Sequence, residues 1–562
     1  MRIQCLLLLF EAAALASARA LPQRAPGDAA SPIIDLGYAQ YQGYYNSSFD
    51  LNIYRGIRFA APPKRWQRPE APVSSREKVL EAVNDPPRCP QALPGPTPAV
   101  VDFEGSLRGN EDCLFLNIFS PKNATKLPVV VWIHGGGYGA GSAPSFDYSY
   151  IGQTVNNGIV SVAIQYRLGA FGFASSAEIA KHGIVNAGVH DMIFALEWVQ
   201  KYISLFGGDP DQVTISGESA GGGSVMLLTM ANGGTHGTKL FRRAIASSPY
   251  FPTQPDHDGG LPTDYYNQLA RRAGCTPPPA DTTIFQCLQA VDSLVLQNAS
   301  AYTSYAAKNG QWAFIPVTDS LIPTLPTSLP PKLNGEAILV GTNANEGTYF
   351  VPRNITSREA FLSFVTLNYP TLSSEGLRTL LSLYTPAAET ISSTPYPLFD
   401  TDGINPPFAT SVSGYALGWQ QAANNLYAET TFVCPAYWLA DAYGTKAWRY
   451  QVSTPNAFHG VDIAMLTTDP GKDVLKRGFQ EIWGRFIVGG DPTLLEATTA
   501  KLGDDIGAAA KWRAWGDGAT LLSLNATAGR AHWKIADGIT WEGGRGVRCD
   551  FWKEVGSVFA EV

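Results

Sequence analysis

Short apolar runs rich in β-branched residues alternate with longer amphipathic segments along most of this chain. A continuous apolar run bounded by turn residues predicts a buried strand, and apolar residues spaced three and four apart predict a helix. The pattern predicts strands at 129–133, 160–166, 213–216, 243–247, 337–340 and 448–452, and helices at 188–204 and 473–488. Strands that alternate with helices in this way predict an α/β fold, in which a mostly parallel central sheet carries helices on both faces.

The strand predicted at 213–216 runs directly into Gly217-Glu218-Ser219-Ala220-Gly221. A G-x-S-x-G sequence between a strand and a helix places its serine on a sharp turn, where the hydroxyl is open to a carbonyl carbon. Glycines flank such a serine because larger side chains would collide at the turn. The five residues alone are a weak signal, and the strand–turn–helix context gives them their weight. Ser219 is therefore the predicted nucleophile.

A second glycine-rich turn follows the strand that ends at Ile133 and reads His134-Gly135-Gly136-Gly137. Glycines at the end of a parallel strand leave backbone N–H groups uncovered, and esterases use such groups to bind the oxyanion of a tetrahedral intermediate. The predicted donors are the N–H groups of Gly136, Gly137 and Ala220, the residue after the nucleophile. The alternative is a flexible turn without a catalytic role.

A serine nucleophile needs a histidine base, and in α/β-hydrolases the order along the chain is serine, acid, histidine. Of the seven histidines, only His459 and His532 lie late enough. His459 follows a predicted strand and a turn, whereas His532 has no such setting and is predicted to lie at the surface. Among the carboxylates that precede His459, Glu346 follows the strand predicted at 337–340 and is the candidate acid. A solvated loop carboxylate is the open alternative for Glu346 at this point.

Five separated motifs occur in one order along the chain: Glu111-Asp112-Cys113-Leu114, the triple glycine, Phe206-Gly207-Gly208-Asp209-Pro210, the serine motif and Asn345-Glu346-Gly347. Together they resemble the type B carboxylesterase/lipase (cholinesterase-like) family, in particular its secreted fungal members, from about residue 33 to about residue 553. The resemblance implies an α/β-hydrolase fold and one catalytic domain at 33–562. It also implies that Ser219 is the nucleophile, Glu346 the acid and His459 the base, in agreement with the choice made from the residues.

The resemblance further implies the roles of several structural residues. Arg65 matches a family arginine that pairs with Glu111, and Asp462 matches a buried family carboxylate behind the histidine. The six cysteines that remain after Cys5 allow fifteen pairings by spacing alone. The family pattern pairs Cys89–Cys113, Cys275–Cys287 and Cys434–Cys549. The sequence contains no Cys-x-x-Cys and no cluster of His and Cys, so structural disulfides are predicted and no metal site is expected.

The first 20 residues are predicted to be a signal peptide, because Arg2 precedes an apolar core at Leu6–Phe10 and residues 18–20 form a small-x-small cleavage site. Residues 21–32 are rich in Pro and Ala and are predicted to be disordered or a short pro-segment. No later stretch stays apolar for about 18 residues, so no membrane anchor is predicted. A secreted, extracellular glycoprotein is also predicted by the N-x-S/T sequons at Asn46, Asn123, Asn298, Asn354 and Asn525.

Length, composition and charge limit the kinds of function that this chain can have. The chain of 562 residues is 45% hydrophobic and carries a net charge of −7. This length and apolar content suffice for a large core, and the order of the motifs favours one large domain over several. No basic run or patch is present, which argues against nucleic acid as a partner. The expected partner is a small-molecule ester, and the chain is expected to be a monomer or a homodimer without a cofactor.

These observations predict a secreted serine carboxylic-ester hydrolase that works by two-step acyl transfer without a metal or organic cofactor. The alternatives are a lipase acting on triglycerides, a cholinesterase and a non-catalytic adhesion protein of the same fold. In this family the loop from Cys89 to Cys113 carries the lipase lid or a choline-binding tryptophan. Here the loop is short, rich in proline and free of Trp, so a general carboxylesterase is favoured. All three triad positions are filled, which argues against the adhesion protein.

Overall fold

Thirteen strands form one mixed sheet in the computed structural model, which describes residues 29–96, 108–387, 403–406 and 408–560. The strands are β1 (Ala30–Asp35), β2 (Ala39–Asn46), β3 (Leu51–Arg58), β4 (Ser75–Glu81), β5 (Phe115–Pro121), β6 (Leu127–Ile133), β7 (Val160–Ile164), β8 (Gly208–Glu218), β9 (Arg243–Ser247), β10 (Ala337–Asn343), β11 (Ala447–Val452), β12 (Thr520–Thr527) and β13 (Arg530–Asp537). Their order across the sheet is β1-β2-β3-β5-β7-β6-β8-β9-β10-β11-β12-β13, and β4 pairs with β2.

The centre of the sheet is parallel and its margins are antiparallel, except that β4 pairs with β2 in parallel. Each neighbouring pair from β7 through β6, β8, β9, β10 and β11 to β12 is parallel. Antiparallel pairs join β1, β2, β3, β5 and β7 at one margin and join β12 to β13 at the other. All six predicted strands lie in the parallel block, so the predicted α/β architecture is confirmed. The bounds differ most at β8, which begins at Gly208 rather than at residue 213, while β7 ends at Ile164 and β10 continues to Asn343.

Apolar side chains on both faces of the central strands explain why these segments are buried. Along β6, Val131 packs into the larger hydrophobic cluster, whereas Val130 and Trp132 pack into a second cluster on the opposite face. Successive side chains of a strand point to opposite faces, so a strand covered on both sides reads as a continuous apolar run. Every residue of β7 and of β9 is buried for the same reason.

Helices cover both faces of the sheet. They are α1 (Ser149–Thr154), α2 (Gly169–Phe173), α3 (Ala177–His182), α4 (Ala187–Tyr202), α5 (Ala220–Met230), α6 (Gly260–Arg272), α7 (Ile284–Ala290), α8 (Ser293–Tyr305), α9 (Arg358–Asn368), α10 (Ser374–Tyr384), α11 (Gly418–Ala428), α12 (Cys434–Tyr443), α13 (Val461–Thr467), α14 (Val474–Gly489), α15 (Glu496–Leu502) and α16 (Trp541–Glu554). A π-helical turn, Glu429–Val433, joins α11 to α12. The two predicted helices correspond to α4 and α14.

Covalent and ionic links follow the pattern that the resemblance implied. The structure pairs Cys89 with Cys113, Cys275 with Cys287 and Cys434 with Cys549. The third bond joins the start of α12 to α16 across 115 residues of sequence. Arg65 forms two hydrogen bonds to the carboxylate of Glu111, with Nε and Nη2 donating over 2.9 Å and 2.6 Å. These links fasten separate segments of the chain to the sheet.

Three of the five sequons are exposed and two are not. Asn123, Asn298 and Asn354 lie on the surface. Asn46 and Asn525 lie on β2 and β12 with only 7% and 4% of their surface exposed. Both side chains are therefore less accessible to a glycan than the three exposed asparagines.

The described residues contain no helix that is both long enough and apolar enough to cross a membrane. The predicted signal peptide, residues 21–28 and the central part of the loop between Cys89 and Cys113, residues 97–107, lie outside the described residues.

The loop lengths generate a stability prediction. Replacement of Cys434 and Cys549 by Ser should lower the free energy of unfolding more than replacement of Cys275 and Cys287, because the bonds close separations of 115 and 12 residues. The loop-entropy relation gives about 4–5 kcal/mol for a loop of about 100 residues and about 3 kcal/mol for a short one. Urea denaturation under non-reducing conditions measures both. A larger loss for the Cys275/Cys287 variant would contradict this account.

Candidate active site

Loops that carry the predicted site residues begin at the carboxyl ends of neighbouring parallel strands. β6 leads into the glycine loop (residues 134–141), and β8 leads into Ser219. β10 leads into the loop of Glu346, and β11 leads into the loop of His459. Carboxyl ends of parallel strands lie at one edge of a sheet, and the crevice there is where α/β proteins bind ligands. Residues far apart in sequence therefore meet at this edge.

Ser219 occupies the predicted sharp turn between β8 and α5. Its φ and ψ are 58° and −125°, a strained combination that positions the side chain of a strand-to-helix nucleophile. The flanking glycines are required by close packing, since a Cβ at Gly221 would lie 2.0 Å from the carbonyl oxygen of Ile133. A Cβ at Gly217 would lie 2.4 Å from the backbone of Gly221. The Ser219 N–H donates to the carbonyl of Ser247 over 3.1 Å, which holds the turn against β9.

The glycine loop presents unused donors. Gly136 and Gly137 have φ values of +106° and +64°, a region that favours glycine. Within the described part of the chain, the N–H groups of Gly136, Gly137 and Ala220 donate to no protein acceptor. They are available to an oxygen of a bound molecule. The indole of Trp312 packs directly against the loop. A Cβ at Gly137 would lie only 2.3 Å from its ring.

A buried tyrosine holds the start of the glycine loop. The Tyr166 hydroxyl donates to the carbonyl of His134 over 2.7 Å, and the two rings stack with centroids 4.4 Å apart. Burial lowers the pKa of His134 to about 4, against the opposing hydrogen bond to the carbonyl of Gly135. The imidazole is therefore neutral near pH 7, and its role here is packing and support.

Glu346 is fully buried, so the alternative of a solvated loop carboxylate is wrong. Its Oε1 accepts hydrogen bonds from the Ser248 hydroxyl over 2.7 Å and from the N–H of Asn343 over 2.5 Å. Its Oε2 lies 2.6 Å from His459 Nδ1. A carboxylate can only accept, so Nδ1 donates this hydrogen bond, and Nε2 is the ring nitrogen left for other contacts.

His459 lies on the loop between β11 and α13, and two kinds of contact hold it. The N–H of Asn345 donates to the carbonyl of Ala457 over 2.8 Å, which ties the loop of Glu346 to the loop of His459. Two aromatic rings flank the imidazole: Phe432, with its centroid 4.3 Å from that of the histidine, and Phe350, at 5.3 Å. The sequence analysis missed both phenylalanines, and Phe432 belongs to a π-helical turn that has no local signal.

The structure does not place His459 in a hydrogen bond with Ser219: none joins the two among the described residues. The other ring nitrogen, Nε2, lies 3.3 Å from Oε1 of Glu218 instead. Burial raises the pKa of Glu218 to about 8, while the charge of His459 opposes that rise. For His459, burial lowers the pKa, but Glu218 and then Glu346 outweigh burial and raise it to about 9. Both shifts favour retention of a proton by this pair.

Glu218 is thus a site residue to which the sequence analysis gave no role, although it lies inside the G-x-S-x-G motif. A signal was present, since a residue beside Ser219 on a sharp turn must lie near the Ser219 hydroxyl. Its chemistry depends on His459, which approaches from a distant part of the chain, and the motif alone does not carry that information.

Asp462 and His532 are not part of the contact between Glu346 and His459. Asp462 is fully buried; it accepts hydrogen bonds from the Ser247 hydroxyl and, over 3.1 Å, from Asn343 Nδ2. Burial raises the pKa of Asp462. No hydrogen bond joins Asp462 to His459 in the described residues, so Asp462 supports the strand ends around Glu346. His532 lies on β13, with its Nε2 2.8 Å from the hydroxyl of the exposed Thr527.

The arrangement has the parts of a serine acyl-transfer site. A serine on a strained turn, a histidine paired with a buried carboxylate and three backbone donors lie at one edge of the sheet. Across the described ranges, no group of three His, Cys, Asp or Glu side chains is arranged to hold a metal ion.

Comparison with known proteins matches residues 30–493 to the model of the Carboxylesterase family. The chain is 37% identical to "Lipase 2" of Geotrichum candidum over 293 residues, which is 46% of this chain and 51% of the relative. The match therefore spans about half the length of that curated relative. The chain is also 28% identical, over 79% of each sequence, to the "Inactive carboxylesterase-like protein VdtD" of Byssochlamys spectabilis.

A solved structure resembles the whole chain. The crystal structure of Aspergillus niger EstA has a TM-score of 0.74 and 26% identity, and the match covers 95% of this chain and 99% of EstA. The family match covers most of the sequence, and the observed sheet, strained serine turn and glycine loop agree with it. The chain belongs to the carboxylesterase family.

Proposed function

We propose that the protein is a secreted serine hydrolase of carboxylic esters, with Ser219 as nucleophile, His459 as base and Glu346 as orienting acid. The observation that supports this most directly is the 2.6 Å contact between the buried Glu346 and His459 Nδ1 at the same sheet edge as Ser219. Family membership alone does not carry the proposal, because one relative is named inactive. The complete set of reactive groups supports an active enzyme over an adhesion protein.

The first half of the reaction is acylation. Ser219 Oγ attacks the ester carbonyl carbon as His459 Nε2 accepts the hydroxyl proton. Glu346 keeps the other ring nitrogen protonated and stabilises the imidazolium that forms. The hydrogen bond from Ser219 to His459 then forms in the complex with substrate, since catalytic hydrogen bonds are often long in the unbound enzyme and tighten on binding.

The glycine loop stabilises charge during both halves of the reaction. As the carbonyl becomes tetrahedral, its oxygen gains negative charge and accepts hydrogen bonds from the N–H groups of Gly136, Gly137 and Ala220. His459 returns its proton to the leaving alcohol, and an acyl-enzyme remains on Ser219. Water then attacks the acyl carbon as His459 accepts its proton, the bond from that carbon to Ser219 Oγ breaks, His459 returns the proton to Oγ, and the carboxylic acid leaves.

Glu218 tunes the base. Its carboxylate lies 3.3 Å from the nitrogen of His459 that must accept the serine proton. The base works only when it is neutral, so a raised pKa of His459 moves the onset of activity to higher pH. The same carboxylate stabilises the imidazolium in the transition state, which increases the driving force for proton transfer.

Aromatic surface beside the reacting groups supports substrates with apolar parts. Trp312 lies against the glycine loop and Phe350 lies against His459, and both rings are only partly buried. Flat rings of this kind bind acyl or alcohol chains by burial of apolar area. A lipase is the second candidate, because the 37% identical relative from G. candidum is named a lipase.

Export is part of the proposal and has separate support. The apolar segment at residues 6–10 with its small-x-small site is typical of a signal peptide. Three disulfides form readily in an oxidising compartment outside the cytosol. We propose glycans at the exposed sequons Asn123, Asn298 and Asn354 only.

Ser219→Ala should lower kcat by about a million-fold, because the triad acts as a unit and only the backbone donors and binding remain. Hydrolysis of a p-nitrophenyl ester measures the loss. A radiolabelled organophosphate followed by peptide mapping should mark Ser219 in the unaltered enzyme and nothing in the variant. Retained activity, or a label on another residue, would refute the assignment.

Glu218→Gln should move the acidic limb of the kcat/KM profile to lower pH by about one unit, the usual effect of losing a carboxylate next to a histidine. The direction follows from the raised pKa of His459, to which Glu218 is the largest favourable contributor. Glu111→Gln, which alters a carboxylate paired with Arg65, serves as the control and should leave the limb in place. An unchanged limb or an upward shift for Glu218→Gln would contradict the role.

Activity on short- and medium-chain esters should rise smoothly with concentration and should not jump at the solubility limit. The loop from Cys89 to Cys113 carries Pro90, Pro94, Pro96 and Pro98, which restrict the motion that an opening lid requires.

Choline esters should show at most a modest advantage over uncharged esters of equal size, since the loop lacks the Trp face that cation–π binding favours. Tributyrin and butyrylcholine assays test both points. Sharp activation by an emulsion would favour the interpretation as a lipase. A strong preference for choline esters would favour the interpretation as a cholinesterase.

A further inference from the structure

The glycine loop has few bonds of its own. Inside it, the N–H groups of Gly139 and Ala140 both donate to the carbonyl of Gly136, over 3.1 Å and 2.9 Å. Gly136, Gly137 and Gly141 all have positive φ, so this segment has large conformational freedom before folding. Donors that stabilise charge are effective only if they are fixed before the reaction begins. The loop therefore requires anchors from other segments.

The segment just after Cys89 supplies such an anchor. The N–H of Ala92 donates to the carbonyl of Gly139 over 2.6 Å. Cys89 itself is fixed by its disulfide to Cys113, next to β5. The segment that opens the disulfide loop is thereby joined to the middle of the glycine loop.

Gln91 makes the second contact, and both ends of its amide take part. Its Oε1 accepts from the N–H of Gly141 over 2.7 Å, and its Nε2 donates to the carbonyl of Gly141 over 3.1 Å. Nε2 also donates to the carbonyl of Cys89 over 2.7 Å. Gln91 is 6% exposed, so these hydrogen bonds form away from water. Loss of one of them would leave a buried polar group without a partner, which destabilises the folded state.

Gly141 is the point at which such a bond fixes the loop most firmly. Its φ is +107°, and a Cβ there would lie 2.4 Å from Nδ1 of His134. The end of the loop thus packs directly on its beginning, and His134 is in turn held by Tyr166. The hydrogen bonds between Gln91 and Gly141 therefore hold the end of the loop that contains the two donors Gly136 and Gly137.

We propose that Gln91 is a positioning residue that fixes the glycine loop, so that the N–H groups of Gly136 and Gly137 are in place for the oxyanion before the substrate arrives. This inference rests on the proposed function. It assigns catalytic importance to a side chain that contacts neither the triad nor the substrate.

The chain contains a matched control. Gln297, on α8, makes the same two-bond contact with the backbone of Gly109, with Oε1 accepting over 3.1 Å and Nε2 donating over 3.2 Å. It is also 6% exposed, and Gly109 lies on the other arm of the same disulfide loop. Gln297 therefore matches Gln91 in chemistry and burial but does not touch the glycine loop.

The experiment compares Gln91→Leu, Gln91→Glu and Gln297→Leu in the full chain. Gln91→Leu should lower kcat by about 10-fold to 100-fold, less than the 10²–10³-fold typical of a lost oxyanion donor. KM should stay within about twofold, and affinity for a trifluoromethyl ketone, whose serine adduct carries an oxyanion, should fall by the same factor as kcat. The acidic limb of the pH profile should not move, because His459 is untouched.

Gln91→Glu keeps the volume but replaces the donor by a carboxylate oxygen that faces the carbonyls of Cys89 and Gly141, so its kcat should fall at least as far as that of Gln91→Leu. Gln297→Leu should lower the melting temperature about as much as Gln91→Leu while kcat and ketone affinity stay unchanged. Circular dichroism at the assay temperature establishes that each variant is folded.

Several results would overturn the inference. One is a kcat and ketone affinity for Gln91→Leu equal to those of Gln297→Leu. Another is failure of both Gln91 variants to fold while Gln297→Leu folds, which would assign Gln91 to stability alone. An inactive Ser219→Ala together with fully active Gln91 variants would refute only this inference. An active Ser219→Ala would instead refute the proposed function.

Discussion

The hydrogen bond between the buried Glu346 and His459 is the interaction on which the rest of the site depends. A fully buried carboxylate is costly unless donors surround it. Ser248, Asn343 and His459 provide those donors, and they come from the end of β9, from β10 and from the loop after β11. The need to satisfy one carboxylate thus brings three neighbouring parts of the sheet edge into a single arrangement.

A second buried charge, on α16, fixes the same loops from behind. Arg545 is fully buried and donates to the carbonyl of Ala344, to Gln451 and to Asn425, over 3.0 Å, 2.6 Å and 3.0 Å. Ala344 lies two residues before Glu346, and Gln451 lies on the strand that leads to His459. The C-terminal helix, held by the bond between Cys434 and Cys549, is therefore part of the support of the acid–base pair. Loss of such a buried partner leaves polar groups unpaired and is strongly destabilising.

Local sequence signals indicated the proposed nucleophile and the proposed donors because both depend on short-range geometry. A strand that ends in glycines, or in G-x-S-x-G, indicates a backbone donor or a serine on a turn from one short stretch of sequence. Glu346 and His459 were located by their position after strands and their order along the chain. Glu218 and Gln91 were not assigned, because their roles come from partners that only the folded chain brings near. The same reason explains Asn46 and Asn525, whose sequons read as surface sites although the sheet buries them.

The comparison of Glu346→Gln with Asp462→Asn tests the central claim most directly, since both carboxylates are buried beside the same strand ends. Steady-state kinetics on a p-nitrophenyl ester, with folding verified for each variant, gives the two values of kcat. The account predicts a loss of up to about 10⁴-fold for Glu346→Gln, because the wrong imidazole tautomer is favoured, and a much smaller loss for Asp462→Asn. A greater loss for Asp462→Asn would contradict the account and transfer the role of orienting acid to Asp462.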